Sequence, residues 1–348
     1  MSRGDKAALR LTIGLGLAVL VAYGLGLKAP FVVCVMAILV LCKPGPPLPL
    51  VKGAVVALLF AVLVAAGVVM VPVLENYALA GILLTAAVLY AIFFAGLVSG
   101  NPLTIVLVIS FALIPVAGVA EQALVGVLSV TLAIGLAIGT LVSAVSNALF
   151  PDPPVAPGRA AVSSPPPPAM ARWIALRATL IVMPIYVLAL TDPSFYLAAI
   201  LKSVALGQQA GESDARSAGS ELVGSTLVGA GLGLAVWIGL SLWPSLWMLV
   251  LWIMAAALWA GSALFGLRRT RFRPSFWSNA LITALILLGP AIEDSASGKS
   301  VLVGAVTRTI LFVGVALYAW GTVWLLERWR RASSPAPSFQ CKTREKSA

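Results

Sequence analysis

The sequence predicts an all-α, polytopic membrane protein of about twelve transmembrane helices, arranged as two parallel six-helix repeats. Three observations carry this expectation. The chain is 61% hydrophobic and 10% charged, whereas a soluble domain carries about 25% charged residues, so a water-facing surface cannot be built from it. Long apolar runs recur along the whole length, without the strand alternation of an outer-membrane barrel. The same landmarks then return in the same order in the second half.

The first repeat, 1–150, places apolar segments at about 8–27, 30–42, 51–73, 78–98, 103–118 and 123–149. The opening basic residues and apolar run resemble a signal peptide. However, the run from Leu11 to Leu27 exceeds a usual h-region and no A-x-A site follows, so it reads as the first membrane helix. Residues 151–172 form a linker, "PDPPVAPGRAAVSSPPPPAMAR", too rich in proline to pack or to continue a helix. The second repeat, 173–330, has segments at about 173–190, 194–208, 220–242, 245–266, 276–291 and 301–327, and a basic tail fills 331–348.

Paired landmarks join the halves. "ALR" stands at 8–10 and again at 175–177, and Pro30-Phe31 answers Pro193-Ser194-Phe195. Gly53 and Gly224, Pro72 and Pro244, Pro102 and Pro274, and Pro115 and Pro290 follow. With the N-terminus inside, nineteen of the twenty-three basic residues fall on inner segments, as the positive-inside rule requires. A re-entrant second segment would scatter that bias. Both termini and the linker are therefore expected in the cytoplasm of a multi-pass membrane protein.

The net charge of +11 is accounted for by residues flanking apolar segments, where they meet anionic lipid, and nucleic acid is not an expected partner. "RRTRFRP" at 268–274 is read in that way as a membrane anchor. Cys34, Cys42 and Cys341 form no CxxC pair and are expected as free thiols. Histidine is absent, which removes the commonest metal ligand and general base. "SGKS" at 297–300 has Glu293 where a phosphate loop needs glycine. Neither catalytic residues nor a cofactor or metal is expected; an enzyme would have to rest on Glu293 and Asp294.

One charge interrupts an otherwise apolar run: Lys202, within "FYLAAILKSVALGQQAG" at 195–211. The second segments of both halves are short, and short segments at matching places point to a substrate site at the interface of the repeats, because a broken helix frees backbone dipoles to meet a ligand. Lys202, Ala198, Ala199, Ala205 and Gln209 share one helical face. If that face lines a cavity, Lys202 attracts an anion and Gln208 and Gln209 add hydrogen-bonding groups; alternatively Lys202 snorkels to the headgroups. Arg308, two turns into the last helix, is a further candidate for anion binding or for a structural pair with Glu293 or Asp294. Arg10 and Arg177 are read as topology anchors. Trp173, Trp243, Trp247, Trp324 and Trp329 form an interfacial belt, and deeper Trp237, Trp252 and Trp259 serve packing or an aromatic substrate.

The first half as a whole, with "FYLAAILKSVALGQQAG" and "SFWSNALITALILLGPAIEDSASGKS", resembles the fusaric acid resistance (FUSC) family, and most closely its compact branch of unknown function. The resemblance spans about residues 8–327. It implies an inner-membrane efflux component for small organic, and in particular aromatic, anions. Its implied partners are the anion, the bilayer, a periplasmic adaptor of the membrane-fusion type and further copies of the chain. Larger family members carry cytoplasmic domains that are replaced here by a short linker and tail. A passive channel or a scaffold for the adaptor is the alternative.

Overall fold

The computed structural model describes residues 2–42, 67–99, 104–151, 166–212, 217–298 and 300–333. Lys43, Lys52, Gly53, Pro102, Arg159, Arg216, Lys299, Cys341 and residues 334–348 lie outside the described residues. The described residues form twelve α-helices: α1 (Arg3–Gly24), α2 (Pro30–Leu41), α3 (Gly67–Asn76), α4 (Ala78–Ser99), α5 (Thr104–Ala120), α6 (Gln122–Leu149), α7 (Pro168–Thr191), α8 (Pro193–Glu212), α9 (Ala218–Leu242), α10 (Leu246–Leu264), α11 (Pro274–Ala296) and α12 (Val301–Ser333).

Local chemistry sets many of the ends. Ser2 and Asp5 exchange side-chain and backbone hydrogen bonds at the start of α1, a capping box that satisfies otherwise orphaned donors. Ser245 accepts from Met248 N at the start of α10, and Pro30, Pro168 and Pro274 open α2, α7 and α11, where a missing N–H costs nothing. Ala29 turns the chain into α2 with a φ of 50°, the left-handed region where glycine is the usual occupant.

Eight helices, α1, α4, α6, α7 and α9 to α12, are long and apolar enough to cross a membrane. At 12 residues α2 is short as expected, but α8 is not. It runs 20 residues, unbroken through Lys202 and on through Gln208 and Gln209 to Glu212. The expectation of a short, broken second helix therefore fails in the second half. Its apolar run stops near 208, yet the helix continues, and Gln209 is buried with partners on α9 and α11. Side chains, rather than backbone dipoles freed by a break, surround Lys202. Pro115 and Pro290 both sit inside the helix toward the ends of α5 and α11, whereas Pro72 lies within α3 and Pro244 follows α9.

The helices form two layers. Residues 31–38 of α2, 108–118 of α5, 198–207 of α8 and 279–291 of α11 are buried without interruption. The other long helices wrap this centre and turn large apolar side chains outward, such as Leu79 and Leu83 of α4, Leu227 and Leu234 of α9, and Ile310 and Trp324 of α12. In hydrocarbon such a face is solvated by lipid, so packing between helices rests on close fit and hydrogen bonds. The packing is reciprocal: α1 lies against α10 and α7 against α4, while α2 lies against α11 and α8 against α5. Thr85 and Tyr186 hydroxyls meet at 3.3 Å where α4 crosses α7.

Glycine sets the closest approach. A side-chain carbon on Gly229 would stand 2.5 Å from Ala280 O and 2.6 Å from Thr283 Cβ, so α9 can touch α11 there only with glycine. Basic residues gather at one end of the bundle, where the start of α1 meets the ends of α6 and α10, and the start of α7 meets the ends of α8 and α12.

Candidate functional site

The three helices α8, α9 and α11 bring five buried polar side chains together: Lys202, Gln209, Ser225, Asn279 and Thr283. Each is placed by helical spacing. Gln209 follows Lys202 by two turns on the same face of α8, Asn279 and Thr283 stand one turn apart on α11, and Ser225 lies one turn before Gly229, where α9 presses on α11.

Lys202 Nζ donates to Thr283 Oγ1 at 2.6 Å and to Asn279 Oδ1 at 3.4 Å. The amine is fully buried and turns toward α11, so it does not snorkel. Asn279 is the pivot. Its Nδ2 donates at 2.7 Å both to Gln209 Oε1 and to Ser225 Oγ, so both amide hydrogens are used. Ser225 Oγ is also within 3.2 Å of Gln209 Oε1, and Gln209 Nε2 donates to Glu221 O at 3.0 Å. Thr283 Oγ1 donates to Asn279 O at 2.6 Å, which leaves its lone pairs to face the amine.

An ammonium in this position meets only neutral oxygens among its described partners. Glu221 carries the nearest carboxylate along this chain of contacts, and it pairs with Arg273 at 3.7 Å. Two of the three Lys202 donors are engaged by these oxygens. A cation without a neighbouring anion in a low-dielectric interior is costly, and an incoming carboxylate would offset that cost.

The remaining sequence candidates lie elsewhere. Gln208 is half-buried and stands about a third of a turn off the Lys202 face. Arg308 Nη1 bonds Asp294 Oδ2 at 2.7 Å, and Asp294 is some 16 Å along α11 from Thr283. The structure thus favours the structural pair for Arg308. Arg10 and Arg177 are more than surface anchors. Both are buried: Arg10 bonds Asn147 of α6, and Arg177 bonds Ala210 O and lies 3.5 Å from Glu327 of α12. Trp252 packs on Gly239, and Trp259 meets Trp277 edge-on at 5.1 Å.

Sequence reasoning did not single out Asn279, Thr283 or Ser225. The available signal was an asparagine and a threonine at i, i+4 within an otherwise apolar helix, opposite an intramembrane lysine. Compared with known proteins, the chain matches no family model, no curated protein and no solved structure.

Proposed function

We propose that the chain is a secondary carrier that exports small organic anions, aromatic carboxylates first among them, across the bacterial inner membrane. The observation that carries this reading is the Lys202 amine, buried between α8 and α11 with neutral hydroxyl and amide oxygens as its described partners. Intramembrane ionisable groups are costly and mark substrate paths. In this reading Lys202 attracts the carboxylate, Thr283 and Asn279 hand the amine over to it, and Gln209 and Ser225 hold Asn279 in place.

The reciprocal contacts of α1 with α10 and α7 with α4, and of α2 with α11 and α8 with α5, support two parallel six-helix repeats. Substrate sites in such carriers lie where the repeats meet; here the described Lys202 cluster is formed by α8, α9 and α11, all of the second repeat, and the first repeat adjoins it through α5 against α8 and α2 against α11. The gathering of basic residues at one end of the bundle supports a cytoplasmic location for that end and for both termini. Membership of the fusaric acid resistance family, and an adaptor as partner, belong to the same proposal.

Export of a labelled aromatic acid, measured in cells with and without the gene and in proteoliposomes of the purified chain, tests the reading. Saturable efflux that depends on the protein is the expected result. Unchanged accumulation across a broad panel of organic acids would end it.

A further inference from the structure

The loop between α10 and α11 is strongly basic and plays no part in the carrier reading, yet it is built rather than loose. Gly266, with a φ of 75°, ends α10. Its N–H donates to Ala263 O at 3.3 Å, and that of Leu267 to Ser262 O at 2.9 Å, the two bonds of a Schellman motif, which fixes the direction of the departing chain. Beyond it, Thr270 Oγ1 donates to Phe272 O at 3.2 Å and accepts from Trp277 Nε1 at 3.4 Å. A ladder of rings holds the far side: Phe272 stacks on Phe276 with centroids 4.1 Å apart, and Trp277 meets both Phe276 and Trp259 edge-on at 5.1 Å.

This frame turns three cations outward. Arg268, Arg269 and Arg271 are exposed, and among the described residues no carboxylate pairs with them, in contrast to Arg273 with Glu221. The Arg268 guanidinium lies 5.2 Å over the Trp259 ring, which holds it at a defined place. Leu267, Phe272 and Trp259 are each about two-fifths exposed beside these charges. A cation fixed over a partly exposed ring, with two further exposed arginines beside it at the end of a helix whose outer face is apolar, matches the boundary between headgroup and acyl chain. A protein or nucleic-acid partner would explain the charges but not the partly exposed rings beside them.

We propose that the edge formed by Arg268, Arg269, Arg271, Trp259 and Phe272 binds the phosphate headgroup of an anionic phospholipid. The bound lipid holds the start of α11, the helix that carries Asn279 and Thr283. The inference does not depend on what the Lys202 site binds.

The test uses the full chain purified in a neutral detergent. Thermal midpoint and retained lipid, counted by native mass spectrometry, are read after adding phosphatidylglycerol, phosphatidylcholine or inorganic phosphate. Phosphatidylglycerol is expected to raise the midpoint and stay bound, and the other two to do neither. Replacing all three arginines by glutamine should weaken the phosphatidylglycerol affinity about a hundredfold at low salt, roughly fivefold per arginine. Comparing the two lipids within each variant separates lost binding from lost folding. Should the triple variant not fold, Arg269→Gln alone should show its fivefold loss. Wild-type affinity in these variants would overturn the site. An equal effect of inorganic phosphate would replace it by a free-anion site, and an equal effect of phosphatidylcholine or of Arg3→Gln with Lys6→Gln would reduce it to unspecific attraction.

Discussion

Lys202 Nζ stands 2.6 Å from Thr283 Oγ1, and that hydroxyl is itself committed to the Asn279 carbonyl one turn back on α11. The amine of one helix is thereby held by the side chains of another, with no carboxylate among its described partners. This arrangement suits a group that must release its neutral partners when an anion arrives.

Asn279→Asp would place a carboxylate against the amine. A fixed counter-ion removes the reason for an anion to bind there, since the Coulombic attraction is then satisfied within the protein. Transport should fall at least tenfold, and the thermal midpoint should fall only modestly, because the new ion pair offsets the loss of the amide donors to Gln209 Oε1 and Ser225 Oγ. Wild-type transport by this variant would contradict the role given to the Lys202 amine.

Gly229→Ala should destabilise the bundle by about 1–3 kcal/mol, the cost of forcing an extra carbon into a tight contact. The added methyl would stand 2.5 Å from Ala280 O and 2.6 Å from Thr283 Cβ. Because Thr283 must shift, the apparent affinity for the anion should weaken as well. Gly231→Ala on the same helix meets nothing within 4 Å and is the control, expected to leave both readouts unchanged.

Arg308→Ala and Asp294→Ala should each lower stability by about 1–2 kcal/mol, a value between exposed and fully buried pairs, because both side chains are largely covered. The double variant should lose little more than either single one, the signature of a coupled pair. KM for the anion should stay as in wild type. A raised KM without lost stability would return Arg308 to the substrate path.

Glu327→Ala should cost about 3 kcal/mol by removing the carboxylate that faces the buried Arg177 guanidinium at 3.5 Å. Glu327 also accepts from Trp173 and Arg330, so α7 and α12 should loosen together. Faster hydrogen exchange at that end of both helices checks this.

Much of the bundle was legible because apolar periodicity and proline mark helices one at a time. Lys202 was legible for the same reason: a charge in an apolar run is conspicuous without knowledge of its neighbours. Gln209 followed from spacing along a single helix. Asn279, Thr283 and Ser225 were not legible. Each is an ordinary residue in a membrane helix, and Thr283 even bonds its own backbone. Their meaning arises only where α11 and α9 meet α8, 77 and 81 residues away from Lys202 for Asn279 and Thr283. The length of α8 was not legible because polar residues after an apolar run ordinarily mark its end, whereas Gln209 is polar and buried. Arg10 and Arg177, expected at helix ends, lie about two turns or more inside α1 and α7, and the partners that bury them, Asn147 and Glu327, come from distant helices.

The most direct measurement is anion export by Lys202→Met and Lys202→Arg in proteoliposomes, with the thermal midpoint of each variant read alongside. Methionine fills the space without a charge to bury, so the account predicts a midpoint equal to or above wild type and export reduced to background, with arginine retaining part of the activity. Wild-type export by Lys202→Met, or a midpoint that drops by many degrees without any specific loss of transport, would show the lysine to be a packing element and contradict the central claim.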